Sequence, residues 1–260
     1  MGLRLPVDKD DMGLFSALET RGSAMGSISF IVPTYNEIQN LIVCIHRIET
    51  YAKAREINFE IIVIDSGSID GTRERLEKIS LEKDHIHAIF QDRKMGMGSA
   101  LREAYQYIRY QYVCHYECDM PYKLLEIDRA IDLLDRCDCD FVLGHRQGGQ
   151  HLIRKFYSYA YRFFLRIFFG SKFQTINFSY KVFDRKILDN FPLKSSGSFI
   201  DAELVLETFR TGFKIEEVPV PYTEREKGKS SLRFLDVLKL LGEAGNYAQA
   251  RRSLHSPSAS

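Results

Sequence analysis

Glu117 and Asp119 stand one residue apart, directly after the apolar run Tyr112-Val113-Cys114-His115-Tyr116. In extended chain, side chains at i and i+2 share a face. Both carboxylates are therefore expected to face one small volume at the C-terminal end of a strand, where ligands bind in open α/β sheets. Two hard oxygen donors placed there suit Mg²⁺ or Mn²⁺ carrying a phosphorylated substrate. A solvated acidic turn is the alternative, since such turns are common.

The elements that must position this pair alternate along the chain. Ile28-Ser29-Phe30-Ile31-Val32-Pro33 has a buried-strand pattern closed by proline. Ile38, Leu41, Ile42, Ile45 and Ile48 follow at helical spacing, with Thr34 or Asn36 available as a cap. Phe59 to Ile64 forms a second strand ending at Asp65, and Ser66-Gly67-Ser68-Ile69-Asp70-Gly71-Thr72 feeds a second helix. Asp70 is expected to cap that helix. Asp65, at the strand end, could accept from a base N–H. His85 to Phe90 is a third strand, and Arg93-Lys94-Met95-Gly96-Met97-Gly98 is a basic glycine turn opening a helix to about Tyr110. Its glycines could admit a nucleotide to the backbone, with Lys94 countering the charge. The run before Glu117 is a fourth strand, and Asp140 to Gly144 a fifth. Strands alternating with helices predict an α/β fold, a mainly parallel sheet with helices on both faces.

The 260 residues are enough for one large α/β domain. The 36 basic and 35 acidic residues leave a formal charge of +1, so no global field points to nucleic acid. Five cysteines lack a disulfide or zinc spacing and argue for a reducing compartment. No secretory signal pattern opens the sequence, and no run of roughly 18 apolar residues is present. The expectation is a cytoplasmic protein, at most peripheral on the cytoplasmic face of a membrane.

The order of the strand-end motifs carries more than any one of them. Pro33-Thr34-Tyr35-Asn36-Glu37 is followed by Asp65-Ser66-Gly67-Ser68-Ile69-Asp70-Gly71-Thr72. Then come Lys94-Met95-Gly96-Met97-Gly98-Ser99-Ala100, Glu117-Cys118-Asp119 and Gly144-His145-Arg146. This series resembles the family 2 glycosyltransferases of GT-A fold, and within them the polyprenyl-phosphate (dolichol-phosphate) mannose synthases. The resemblance spans about residues 27 to 235. Its second half rests on Thr175 to Lys181, Phe199 to Leu204, Gly212 to Val220, and Arg225-Glu226-Lys227-Gly228-Lys229-Ser230.

The resemblance implies an inverting transfer of a hexose, mannose or glucose, from a nucleotide-diphosphate sugar to a polyprenyl or dolichyl phosphate. Pro33, Tyr35, Glu37, Asp65, Lys94 and Glu117 would then bind the nucleotide. Asp119, with Glu117, would hold Mg²⁺ or Mn²⁺. Arg146 and Arg225 would act beside Asp119 at the reacting phosphates. Arg225, Lys227, Lys229 and Ser230 would take the acceptor phosphate, and basic residues around a flexible glycine suit a loop that closes on anions. Four positions depart from the pattern: Ser66 for a frequent Asp, Glu117 for the first Asp of D-x-D, Pro121 for a Gln or Ser, and Thr175 for an Asp. These departures keep two alternatives in view: a family 2 enzyme acting on a glycan or other hydroxyl, and a nucleotide-sugar-binding protein that no longer transfers.

The expected division is a flexible N-terminal arm over 1–26, a GT-A domain over 27–230, a C-terminal amphipathic helix over 231–252 and a disordered tail over 253–260. Residues 151–172 combine Arg154, Lys155, Arg162, Arg166 and Lys172 with eight aromatic and four leucine or isoleucine side chains and no acid. This segment and the helix over 231–252 could each lie on an anionic membrane surface or pack on the domain.

Overall fold

In a computed structural model of the chain, the residues described are 26–119, 122–147, 163, 165–167, 170, 173, 176–221, 239–240 and 242–249. Expectations for the N-terminal arm, the tail, Pro121, Thr175 and the basic loop Arg225 to Ser230 lie outside them.

Strand β1 (Ile28–Thr34) is followed by helix α1 (Ile38–Ala54), β2 (Phe59–Asp65), α2 (Thr72–Glu82) and β3 (Ile86–Phe90). Next come α3 (Met97–Ala104), β4 (Tyr112–His115), α4 (Glu126–Asp135) and β5 (Phe141–Gln147). Strand β6 (Lys181–Asp184), α5 (Ile200–Arg210) and β7 (Ile215–Pro221) follow. The helix expected to reach Tyr110 ends at Ala104 and passes into a 3₁₀ turn over Tyr105–Tyr107.

The strands form one seven-stranded sheet in the order β3-β2-β1-β4-β6-β5-β7. Only β6 runs antiparallel to its neighbours, so the sheet is mainly parallel as expected. Strand alternation sorts the side chains onto two cores. Phe30, Val32, Ile61 and Val63 face α1, α2 and α4, while Ile31, Ile62 and Ile64 face α3 and α5. Both faces are therefore covered, which is why these strands read as continuous apolar runs.

The strand order reverses at β1: β2 lies on one side and β4 on the other. Such a switch point opens a crevice at the carboxyl ends of the strands. Here the pairing of β1 with β4 stops at Ile31 and His115, with one further bond from Tyr116 N to Ile31 O. Beyond it the two chains part, carrying Pro33-Thr34-Tyr35 one way and Glu117-Cys118-Asp119 the other.

The C-terminal segment proves to be part of the domain where it is described. Residues 239–240 and 242–249 are helical, Ala244 and Tyr247 are buried in the second core, and the Tyr247 hydroxyl donates to the Glu207 carboxylate. In the aromatic–basic segment, Leu165 is buried in that same core, whereas Phe163 and Ile167 are 57% and 59% exposed.

Candidate active site

The crevice between β1 and β4 holds a cavity of about 740 Å³. Pro33, Tyr35, Glu37, Lys94, Glu117 and Asp119 all line it, so six of the residues expected at the site do meet there.

The acid pair reaches the cavity by a route that strand alternation does not provide. Strand β4 ends at His115, and Cys118 and Asp119 lie in a turn. The turn is braced from behind: Tyr122 donates its hydroxyl to His115 O at 2.5 Å, and Tyr116 donates to Tyr122 O at 3.1 Å. The Tyr122 ring packs edge-on against Tyr116, Phe178 and Tyr180. Cys118 is buried beneath, its thiol hydrogen-bonded to that of Cys44, whose pKa this contact and burial push well above the ordinary value. A turn packed on buried aromatics holds its two carboxylates at a fixed spacing better than an exposed loop would.

The β1 and β2 turns are locked together, which corrects the expected capping. The N–H groups of the turn entering α1, and the first of the helix itself, need acceptors. They find them in the other turn: Asn36 N donates to Ser68 Oγ (2.8 Å), Glu37 N to Thr72 Oγ1 (3.0 Å) and Ile38 N to Asp70 Oδ2 (3.1 Å). Neither Thr34 nor Asn36 caps the helix. Asn36 takes the left-handed backbone (φ 56°) and returns a bond by accepting Ile69 N at 2.9 Å. Asp70 also accepts Thr72 N and the Thr72 hydroxyl. Burial alone would raise its carboxyl, but these donors hold it below the usual carboxylate range.

The glycine turn also differs from expectation. Gly98 N donates to Gly197 O and Ser99 N to Ser196 O, both at 3.1 Å. A Cβ at Gly96 would meet Ser196 O at 2.3 Å, and one at Gly98 would meet Ser195 O at 2.3 Å. The glycines admit the chain's own segment 195–197, which caps α3, and Gly96 also lines the cavity. Gly96 additionally needs its positive φ of 101°.

Two expected residues stand away from the cavity wall. Asp65 is fully buried and its carboxylate accepts Ser68 N at 3.2 and 3.4 Å, so it shapes the β2 turn. Arg146, on β5, has its guanidinium 5.3 Å from the Phe178 ring centroid. Conversely, the cavity includes Thr34, Ser66, Ser196, Gly197, Ser198, Lys239, Leu240 and Glu243. Lys239 and Glu243 occupy positions i and i+4 on the polar side of a leucine-striped helix, a pattern that reads as solvated surface.

Among the described residues no group of three or more His, Cys, Asp or Glu is placed to hold a metal ion. A carboxylate pair nevertheless fits Mg²⁺ or Mn²⁺, which keep waters and substrate phosphates as their other ligands. Asp119 Oδ1 is shielded from solvent, and Glu117 shares its cavity.

A mainly parallel sheet with an acid pair at its switch point is the arrangement of GT-A glycosyltransferases. The glycosyl transferase family 2 profile matches residues 29–192, and the chain belongs to that family. It is 26% identical over 215 residues to the polyprenol monophosphomannose synthase of Mycolicibacterium smegmatis, covering 78% of this chain and 79% of that one. The undecaprenyl-phosphate mannosyltransferase of Micrococcus luteus is 25% identical over 214 residues, covering 78% and 86%. The fold is similar to that of glucosyl-3-phosphoglycerate synthase from Mycobacterium tuberculosis, solved with Mn²⁺, UDP and phosphoglyceric acid. The TM-score is 0.66 at 16% identity, over 88% of this chain and 84% of that one.

Proposed function

We propose that this glycosyltransferase moves a hexose, mannose or glucose, from a nucleotide-diphosphate sugar to a polyprenyl phosphate with inversion at the sugar. The observation that carries this reading is the meeting of Glu117 and Asp119 with Tyr35, Glu37 and Lys94 in one cavity. The names of the two mannosyltransferase relatives support the acceptor class.

Tyr35 and Glu37 would take the nucleoside, and the Lys94 ammonium would face its phosphates. Glu117 and Asp119 would hold Mg²⁺ or Mn²⁺, which supplies charge neutralisation at the diphosphate leaving group. Arg146, beyond the cavity wall, and Arg225 would add positive charge towards the reacting phosphates. Arg225, Lys227, Lys229 and Ser230 would receive the acceptor phosphate. With a second pKa of about 6, that phosphate is mostly ionised at neutral pH and attacks without help from a base. Thr175, standing where relatives acting on hydroxyls carry an Asp, agrees with an acceptor of this kind.

A polyprenyl acceptor places the enzyme at a membrane. Among the described residues no helix is long and apolar enough to cross one. The exposed Phe163 and Ile167, within the basic segment 151–172, support contact with the membrane surface, which we place on the cytoplasmic face.

The deciding experiment supplies radiolabelled GDP-mannose or UDP-glucose, Mn²⁺ or Mg²⁺, and a polyprenyl phosphate in detergent. Label entering the lipid phase from one donor is the expected result. Label confined to a water-soluble glycan would assign a hydroxyl acceptor instead, and donor binding without transfer to either would indicate a protein that no longer catalyses.

A further inference from the structure

One wall of the cavity has so far been given no chemistry: Ser196, Gly197 and Ser198, with Lys239, Leu240 and Glu243 of the C-terminal helix. The segment 194–199 is held from two sides by two carboxylates. Glu203, on α5 and 2% exposed, accepts Lys194 N at 2.8 Å and Ser195 N at 2.7 Å. Glu243 accepts Phe199 N at 2.8 Å from the opposite side. Between them, the carbonyls of Ser196 and Gly197 receive the first N–H groups of α3. Gly197 leaves the space that the Glu243 carboxylate fills, because a Cβ there would lie 1.7 Å from Oε1.

The geometry points to Glu243 as a positioning residue for the nucleotide-sugar site, acting through the 195–199 segment. Its carboxylate presses that segment against α3, and the turn entering α3 presents Lys94, Gly96 and Met97 to the cavity. The C-terminal helix is thus a wall of the catalytic cavity rather than only a membrane contact. Glu243 does not dock its own helix unaided. Buried Ala244 and the Tyr247 hydroxyl on Glu207 do so independently. Removing the carboxylate should therefore loosen the segment while the helix stays in place.

This inference rests on the cavity being the donor site, so the test has one arm that needs no ligand. Glu243→Ala and Glu243→Gln are compared with wild type by amide hydrogen exchange, and by calorimetry with GDP and UDP in the presence of Mn²⁺. In Glu243→Ala, exchange should quicken at residues 97–99 and 196–199 while the β1–β2–β3 amides stay protected. Nucleotide affinity should fall on the order of 10-fold or more, the scale of a misplaced site. Glu243→Gln keeps an acceptor oxygen and should recover most of both. Wild-type exchange at residues 97–99 in Glu243→Ala would overturn the inference. So would a loss of protection spread evenly over the sheet, which would make Glu243 a general stabiliser. If wild type binds neither nucleotide, the donor-site reading falls, and the exchange arm still decides whether Glu243 positions the segment.

Discussion

The Lys94 ammonium nitrogen lies 4.1 Å from the centroid of the Tyr35 ring. One residue comes from the turn before α3 and the other from the turn after β1, and both line the cavity. If the cavity takes a nucleotide diphosphate as proposed, the contact fixes a cation in its wall. Lys94→Met and Tyr35→Leu should each weaken GDP or UDP binding about 10-fold. A double-mutant cycle should show coupling of about 0.5–1 kcal/mol, the usual size for an exposed cation–π pair. Strictly additive losses would mean that the contact contributes nothing to binding.

Local patterning made the first half of this fold legible. The runs at Ile28, Phe59 and Ile86 are strands within a residue of their expected limits, the first two because burial on both faces leaves a nearly continuous apolar signature. What was not legible depends on partners distant in the chain. The acceptors for the turn entering α1 and for its first N–H are side chains 32 to 35 residues away. Gly96 and Gly98 serve a segment about 100 residues further on, and nothing nearby distinguishes that use from a phosphate turn. Glu117 and Asp119 lie beyond the end of β4, and a turn braced by aromatics, not strand alternation, brings both to the cavity. Strand β6 was missed because four residues, Lys181–Asp184, with a charge at each end carry no alternation to read.

Asp70 is expected to matter for stability more than its exposure suggests. Its carboxylate accepts Ile38 N of one helix and Thr72 N of the next, joining two site turns. Asp70→Ala should cost about 1–2 kcal/mol in urea unfolding, the range for losing a cap. Asp70→Asn, which keeps an acceptor, should lose less. An Asp70→Ala protein with the wild-type midpoint would show that water replaces the carboxylate at both turns.

Gly98→Ala should reverse the ordinary rule for helices. Alanine in a helix interior usually stabilises by about 0.5–1 kcal/mol over glycine. Here the added methyl would meet Ser195 O at 2.3 Å and Ser195 and Ser196 carbonyl carbons at 2.8 Å. The obstacle is backbone rather than the end of a flexible side chain, so nothing yields cheaply. The variant should melt lower than wild type, and a raised melting temperature would disprove the close approach.

His115 should make stability depend on mildly acidic pH. Burial, and then the nearby Lys181 charge, push its pKa well below the ordinary value. Burial pushes the Tyr105 phenol well up, and its hydroxyl pairs with His115 Nε2 at 2.7 Å. Lys181 is fixed in place by Asp201 Oδ1 at 2.8 Å and Phe178 O at 2.6 Å. The unfolded chain takes up a proton at His115 near pH 6.5 and the folded chain does not. The stability is therefore fully present above about pH 6.5 and lost as pH falls below it, by about 1.4 kcal/mol per unit. Urea unfolding from pH 7.5 to 5 should show this slope, and His115→Gln should flatten it. An unchanged slope in His115→Gln would assign the effect to another group.

Asp119 is the carboxylate on which metal-dependent binding is expected to turn. It lies in the braced turn with Oδ1 shielded from water, whereas Glu117 carries an extra methylene and a longer reach. A short, fixed carboxylate places its oxygens with little loss of side-chain entropy, and Mg²⁺ or Mn²⁺ demands accurate ligand geometry. Asp119→Asn preserves size and one acceptor oxygen but removes the charge, so its effect separates electrostatics from shape. In wild type, Mn²⁺ should tighten GDP or UDP binding measured by calorimetry. Asp119→Asn should lose that enhancement while keeping its metal-free affinity. It should also lower transfer at least 100-fold, the scale of removing one preorganised electrostatic contact. Glu117→Gln should keep part of the enhancement, because its partner remains charged. If Asp119→Asn retained the full Mn²⁺ effect, the cation would have to be held elsewhere, and Glu117 would be the first residue to examine.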